Sequence, residues 1–477
     1  MSRSPRNGGE VPWPSGVSAV ASRSDATLDT RRPVALLQGA VGKRPLNLPA
    51  VVGLGSLAAA AAAVVAPYDA TLAVVAAVSL VAAGVAAVRV DVALLLLVGA
   101  TPLEGGIIVA GNPQIGITKL AGALCFASFA VNAIATRRKL RFDRSHTIVL
   151  LLLLVSLVST AQARETGAAL ATTFRYASFV ALYFVVSQFV GDWLVLRRLA
   201  WVLSMSSAVA AAWALYRLVW LGSAQARLEF GNPNDLAFVL ATTLPVTFWL
   251  LNNPWRYRLV AMLMIGVISA ATVLTFSRGA LVGLGAGVLW SLLVERRTIH
   301  VVLIGALVAG LTVWLFVRTN PAHVQAGYEQ KQRVAAHNVE TRLEGWAFAL
   351  SLAEDHPVLG AGPGNFSVYY SEAAVSRPPS DRIGVVHNTY LDITAELGIG
   401  GLALFLAYLG MSFTRLAGAC KRALGPPGYA AAVRTALVVA CVAAITLSEQ
   451  YFAPFWLLGA LATALWAEDR FTTASAP

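Results

Sequence analysis

His387 heads the stretch His387-Asn388-Thr389-Tyr390-Leu391-Asp392, which runs through Glu396 into Leu397-Gly398-Ile399-Gly400-Gly401 and a long apolar segment. Thr389 reads as a helix N-cap, with Asp392 three positions on as its reciprocal acidic partner. That spacing sets His387 just ahead of a helix N-terminus, where unpaired backbone N–H groups favour an anion. An imidazole titrates near neutral pH and can take a proton from a hydroxyl. Asn388 and Tyr390, flanking the same helix start, are candidate substrate contacts. A loop histidine bonded to a nearby carbonyl accounts for the same residue without catalysis.

The elements that position this stretch follow from composition. Of 477 residues, 57% are apolar and 13% charged, with a mean hydropathy of +0.68. That charged fraction is about half the ~25% of a soluble domain, which excludes a water-soluble enzyme. Apolar runs recur from Leu48 to Trp466, each close to the ~20 residues that span a bilayer. The fold class is therefore an all-α polytopic membrane protein with roughly 12–14 transmembrane helices. The third run, 92–103, is short.

The net charge of +12 sits in short clusters between runs, such as Arg137-Arg138-Lys139-Leu140-Arg141, Arg197-Arg198 and Lys421-Arg422. That is the signature of cytoplasmic connections and not of nucleic-acid binding. Counting spans against these clusters gives a disordered cytoplasmic tail over 1–45 and transmembrane helices 1–11 over 46–317. A large extracytoplasmic catalytic loop follows over 318–396, then helices 12–14 over 397–467 and a cytoplasmic tail over 468–477. Within the loop, Leu343, Trp346, Ala347 and Leu350 recur at helical spacing until Pro357, as in an amphipathic helix on a membrane surface. Cys125, Cys420 and Cys441 are too scattered for a disulfide framework or a zinc site.

His387-Asn388, nine residues, Gly398, two residues and Gly401 match a motif of the O-antigen ligases and the related Wzy-type O-antigen polymerases. Phe276-Ser277-Arg278-Gly279, Arg342-x-x-x-Trp346, Leu359 through Phe366, and Arg227 through Asn234 are also similar to stretches of that superfamily. The resemblance spans roughly Leu48 to Trp466. It implies a GT-C-like glycosyltransferase in the bacterial cytoplasmic membrane with its active site facing outward. Such an enzyme takes a glycan from an undecaprenyl-pyrophosphate carrier and passes it to a glycan, lipid or protein acceptor, without cofactor or metal. The match casts His387 as activating the acceptor, and Arg278 and Arg342 as holding the pyrophosphate. Planar guanidinium groups bind phosphate oxygens in bidentate fashion, which suits that casting.

Each basic residue also has a plainer reading. Arg278 at a helix end can snorkel to the interface, although it lies on the side that positive charge avoids. Arg342 can decorate a polar helix face, and Arg227 can be a loop charge or a lipid-headgroup contact. Arg175 lies inside the sixth apolar run, where an arginine costs at least ~2.5 kcal/mol, so it must face a cavity or a partner. Lys119, near the outer end of the fourth span, can reach the same cavity, and the two either bind carrier phosphates or form an ion pair. Gly360, Gly362 and Gly364 form a turn more readily than a phosphate cradle. No Asp-x-Asp pair occurs, and the remaining histidines show no paired metal spacing, so a metal-dependent transferase is not favoured. A polytopic solute transporter of the inorganic-carbon kind is the rival class, but the paired interrupted helices of two related halves are not apparent.

Overall fold

The computed structural model describes residues 84, 89–104, 108–109, 112–137, 139–189, 192–223, 225–229, 231–295, 299–376 and 384–467. The tails at 1–45 and 468–477, and the two spans expected around residues 57 and 78, lie outside the described residues. A buried backbone in lipid has no water to bond, so apolar runs must satisfy their own N–H and C=O groups as helix. The described runs do so as α1 (Val90–Ala100), α2 (Ile117–Ala135), α3 (Arg144–Thr160), α4 (Thr166–Ser187), α5 (Trp193–Trp220), α6 (Pro233–Trp249) and α7 (Trp255–Leu274). They continue as α8 (Arg278–Leu293), α9 (Ile299–Thr319), α10 (Pro321–Asp355), α11 (Phe366–Ala373), α12 (Thr389–Lys421), α13 (Tyr429–Ala443) and α14 (Ala453–Ala467). Among the described residues 6 helices are long and apolar enough to cross a membrane, with further shorter apolar helices beside them. The protein is an α-helical polytopic membrane protein. Among the described residues a short antiparallel ribbon also occurs, pairing β1 (Ile108–Val109) with β2 (Asn112–Gly116).

The helices run between two ends that polar contacts define. At one end Asp143 caps α3, its Oδ1 accepting from the Ser145 N–H at 3.0 Å, and Arg415 of α12 donates to Asp143 Oδ2 at 2.9 Å. Arg415 also donates to Ser145 Oγ at 2.7 Å and Thr463 Oγ1 at 2.8 Å, so one buried guanidinium ties α3, α12 and α14. Arg197 and Arg258 meet there too, both bonding Asn253. The opposite end carries the long polar segment after α9. A 95° bend separates α9 from α10, with Pro321 at the first turn of the new helix. The expected amphipathic helix is thus part of α10, a helix of 35 residues. Its Leu343, Ala347 and Leu350 are exposed as one stripe. Trp346, read with them from sequence, turns inward instead, and its Nε1–H donates to the Val386 carbonyl at 3.1 Å. Ala349 and Leu352 of α10, Phe366 and Tyr370 of α11, Val386 and Ala395 form a small second core under this end.

Gly398 sets the position of that core. Its φ of 69° breaks α12 after two turns, a left-handed backbone that favours glycine. A Cβ there would collide with the Val358 carbonyl. The break frees the carbonyls of Ala395 and Glu396, and the following segment takes them: Ala361 N–H donates to Ala395 O at 2.8 Å and Gly362 N–H to Glu396 O at 3.1 Å. The Ile399 N–H turns to the Pro357 carbonyl at 2.9 Å. Gly360, Gly362 and Gly364, with φ of 70°, 103° and 72°, therefore form a turn laid along the first arm of α12. Asn365 carries the turn to the α3–α4 connection, its Oδ1 accepting the Glu165 N–H at 2.8 Å, and Arg164 pairs with Glu372 at 2.6 Å.

Candidate active site

The start of α12 is built differently from the capping box that its sequence suggests. Asn388 is the N-cap, its Oδ1 accepting from the N–H groups of Tyr390 at 3.0 Å and Leu391 at 3.1 Å. Thr389 is one residue further in, and its hydroxyl serves tertiary structure: it donates to the Leu447 carbonyl at 2.8 Å and accepts the Glu449 N–H at 2.8 Å. Asp392 turns from the cap to accept from Gln450 Nε2 at 2.7 Å. The first arm of α12 is thereby clamped to the 444–452 connection between α13 and α14. Tyr451 adds a hydroxyl bond to Glu396 Oε2, while Glu396 Oε1 accepts the Phe366 N–H at 3.3 Å.

His387 precedes this cap with φ of 57°, in the left-handed region that non-glycine residues seldom adopt. Such strain persists where surrounding contacts over-determine it, here the Trp346–Val386 bond on one side and the Asn388 cap on the other. The half-buried His387 lines a cavity of about 290 Å³. Arg175, Asp235, Asp392, Glu396 and Glu449 line it with His387. Arg175 stands 3.7 Å from Glu104, and its guanidinium lies over the Phe452 ring at 5.9 Å. Burial raises the Glu104 carboxyl above its ordinary range, while Arg175 and Lys119 draw it back. Arg175 thus has both the cavity and the acidic partner that an arginine in an apolar run requires. Lys119 is exposed beside that pair.

Arg278 and Arg342 converge outside the cavity lining. Arg278 is the exposed first residue of α8, and the adjacent Gly279 packs against Thr446 and Leu447, the connection that holds Thr389. Arg342 lies one helical turn before Trp346, whose ring holds Val386 next to His387. Burial first, and the Arg278 charge second, push the Arg342 guanidinium below its ordinary value. Among the described residues neither arginine has a carboxylate partner. Two cations held together without an acid leave a place whose electrostatics favour an anion.

The other sequence candidates have plainer positions. Arg227 is exposed, and Ala226 before it donates to the Leu274 carbonyl at 3.0 Å, which holds this segment near the turn leading to Arg278. The Tyr390 hydroxyl donates to the Cys441 carbonyl at 2.9 Å and so is spent on packing against α13. Asn388 is buried with its carbonyl oxygen engaged as the cap. Sequence reasoning missed Asp235 and Glu449. Their only signal was position: Asp235 follows Asn232-Pro233-Asn234, and Glu449-Gln450 interrupts two apolar runs. No group of three or more His, Cys, Asp or Glu among the described residues is arranged to hold a metal ion.

Comparison with known proteins bears on the same segment. Residues 267–406 match the family model described as O-antigen ligase, a stretch that includes Arg278, Arg342 and His387. An O-antigen ligase of Pseudomonas aeruginosa is 24% identical over 289 residues, covering 58% of this chain. The matched part amounts to 66% of that relative's length.

Proposed function

We propose, on the premise that residues 267–406 carry the domain of the O-antigen ligase and Wzy-type superfamily, that this chain is a membrane glycan ligase or polymerase. Its donor is a glycan on undecaprenyl pyrophosphate, and its acceptor is a hydroxyl on a glycan, lipid or protein. The observation that carries this reading is the pair Arg278 and Arg342, two neighbouring cations without a carboxylate partner among the described residues, on segments that pack against those holding His387. The acceptor oxygen attacks the anomeric carbon as the bond from that carbon to the pyrophosphate oxygen breaks. His387 takes the hydroxyl proton, and the two arginines stabilise the charge that gathers on the leaving pyrophosphate. The reaction then needs no divalent cation.

The charge distribution supports an outward-facing site. Arg89, Lys139, Arg141, Arg197, Arg198, Arg256, Arg258, Lys421 and Arg422 fall at the end opposite His387, as cytoplasmic ends require. The test is reconstitution in proteoliposomes with the host's lipid-linked glycan and candidate acceptors, followed by product sizing. A ladder of repeat units identifies a polymerase and a single discrete transfer a ligase. Solute flux without glycan transfer overturns the reading in favour of a transporter.

A further inference from the structure

We infer that Asp235 and Glu449 form a sugar-binding subsite, in which two carboxyl groups grip hydroxyls of a single sugar ring of the donor or the acceptor. The inference rests on the glycan-transfer reading and deepens it. Four carboxyl groups line the cavity of about 290 Å³, but they are not equivalent. Asp392 is bonded by Gln450, and Glu396 by Tyr451 and the Phe366 N–H, so these two brace the walls. Glu449 is 1% exposed, and its Oε2 has no hydrogen-bond partner among the described residues. A buried carboxyl oxygen left unpaired in a cavity costs stability, which a ligand hydroxyl there would relieve.

Asp235 reaches the same space from the first turn of α6, close enough for its charge to act on Glu449. Burial first and Asp235 second hold the Glu449 carboxyl well above its ordinary range. Two carboxyl groups offer acceptor oxygens to sugar hydroxyls, and a carboxyl that holds its proton donates as well, which matches the mixed character of a sugar's hydroxyls. Asn234 adds an amide to the lining, and Phe366 and Phe452 add ring surfaces for the apolar face of a sugar. Arg278 and Arg342, the pair cast for the pyrophosphate, lie outside this lining. The cavity is just below the ~300–1,000 Å³ of pockets for larger ligands, which suits one ring and not a chain. Both residues also lie outside the matched segment 267–406, where a chain-specific sugar preference would reside.

The experiment compares the parent with Glu449→Leu, which keeps the bulk and removes both oxygens, and with Asp235→Asn, in proteoliposomes. The probes are undecaprenyl pyrophosphate carrying the host glycan, the glycan-free carrier, and a graded concentration of acceptor. Either variant should raise KM for the sugar-bearing partner about 10- to 100-fold, the cost of leaving a buried sugar hydroxyl without its partner. Binding of the glycan-free carrier should stay unchanged, which also shows that the variants are folded. A loss confined to the glycan-carrying donor assigns the subsite to the donor sugar, and a loss confined to acceptor KM assigns it to the acceptor. Unchanged constants for both partners overturn the inference and leave the glycan-transfer reading standing, as does equal weakening of the glycan-free carrier. Absence of transfer by the parent overturns that reading and the inference with it.

Discussion

Thr389 Oγ1 accepts the backbone N–H of Glu449 at 2.8 Å, and through that bond two parts of the chain separated by an entire helical hairpin share one hydroxyl. The same hydroxyl donates to the Leu447 carbonyl, so both its donor and an acceptor position are used. His387 stands two residues before Thr389, and the relation therefore fixes the histidine against the carboxyl-bearing connection.

Thr389→Val should detach that connection while keeping shape. Loss of a doubly bonded buried hydroxyl costs about 1–3 kcal/mol, so thermal unfolding in detergent should shift to lower temperature. Turnover should fall with it, and Thr389→Ser should restore most of both. A valine variant with parental Tm and rate would show that the bond does not position the site.

His387 and the arginines should separate in kinetics. His387→Ala should lower kcat by ~10²–10⁴-fold, the usual contribution of a general base, with donor binding almost unchanged. Alanine at Arg278 or Arg342 should weaken donor binding as well as turnover. Lysine at either position should rescue in part, because it keeps the charge and loses the planar fork. A folded His387→Ala protein that binds donor and transfers at the parental rate removes the histidine from the mechanism.

Glu449 should make stability depend on pH. Its carboxyl is raised well above the ordinary value of 4.5 in the folded protein, so between these values the unfolded chain has lost a proton that the folded chain keeps. Stability therefore falls as pH rises from about 4.5 towards the folded value, because the unfolded state binds fewer protons. Glu449→Gln keeps the shape and removes this loss. Its Tm should exceed the parent's at pH 8 and equal it near pH 4. Equal pH profiles for the two proteins would contradict the burial of an ionisable group there.

Sidedness is open to labelling. Cysteine introduced at Val358, exposed beside the active-site turn, should react with an impermeant maleimide added outside intact cells. Cysteine at Lys139, exposed at the other end, should react only after permeabilisation. The parent, with its three native cysteines, supplies the background. Labelling of both from one side would refute the outward placement.

Metal removal should have no effect. Transfer in the reconstituted system should survive thorough chelation with EDTA, since arginines supply the positive charge in the proposed mechanism. Loss of transfer that Mg²⁺ or Mn²⁺ restores would overturn that account.

Composition and local pattern by themselves determined the membrane class and the positions of the described apolar helices. A run of lipid-compatible residues has helix as its only self-satisfying backbone, whatever it packs against. Local spacing marked His387 ahead of a helix start, and resemblance to short family motifs marked Arg278 and Arg342, each readable without a tertiary partner. Tertiary structure alone decided what lies beside them. The N-cap passed from Thr389 to Asn388 because the 444–452 connection offered the threonine hydroxyl two better-placed partners. Trp346 turned away from the Leu343–Leu350 stripe because the Val386 carbonyl needed a donor. The kink at Gly398 exposed carbonyls that a glycine turn some thirty-five residues upstream came to satisfy. Asp235 and Glu449 carry no local signal of a shared site, since a pair of carboxyl groups more than two hundred residues apart becomes chemistry only when helix packing closes a cavity around both.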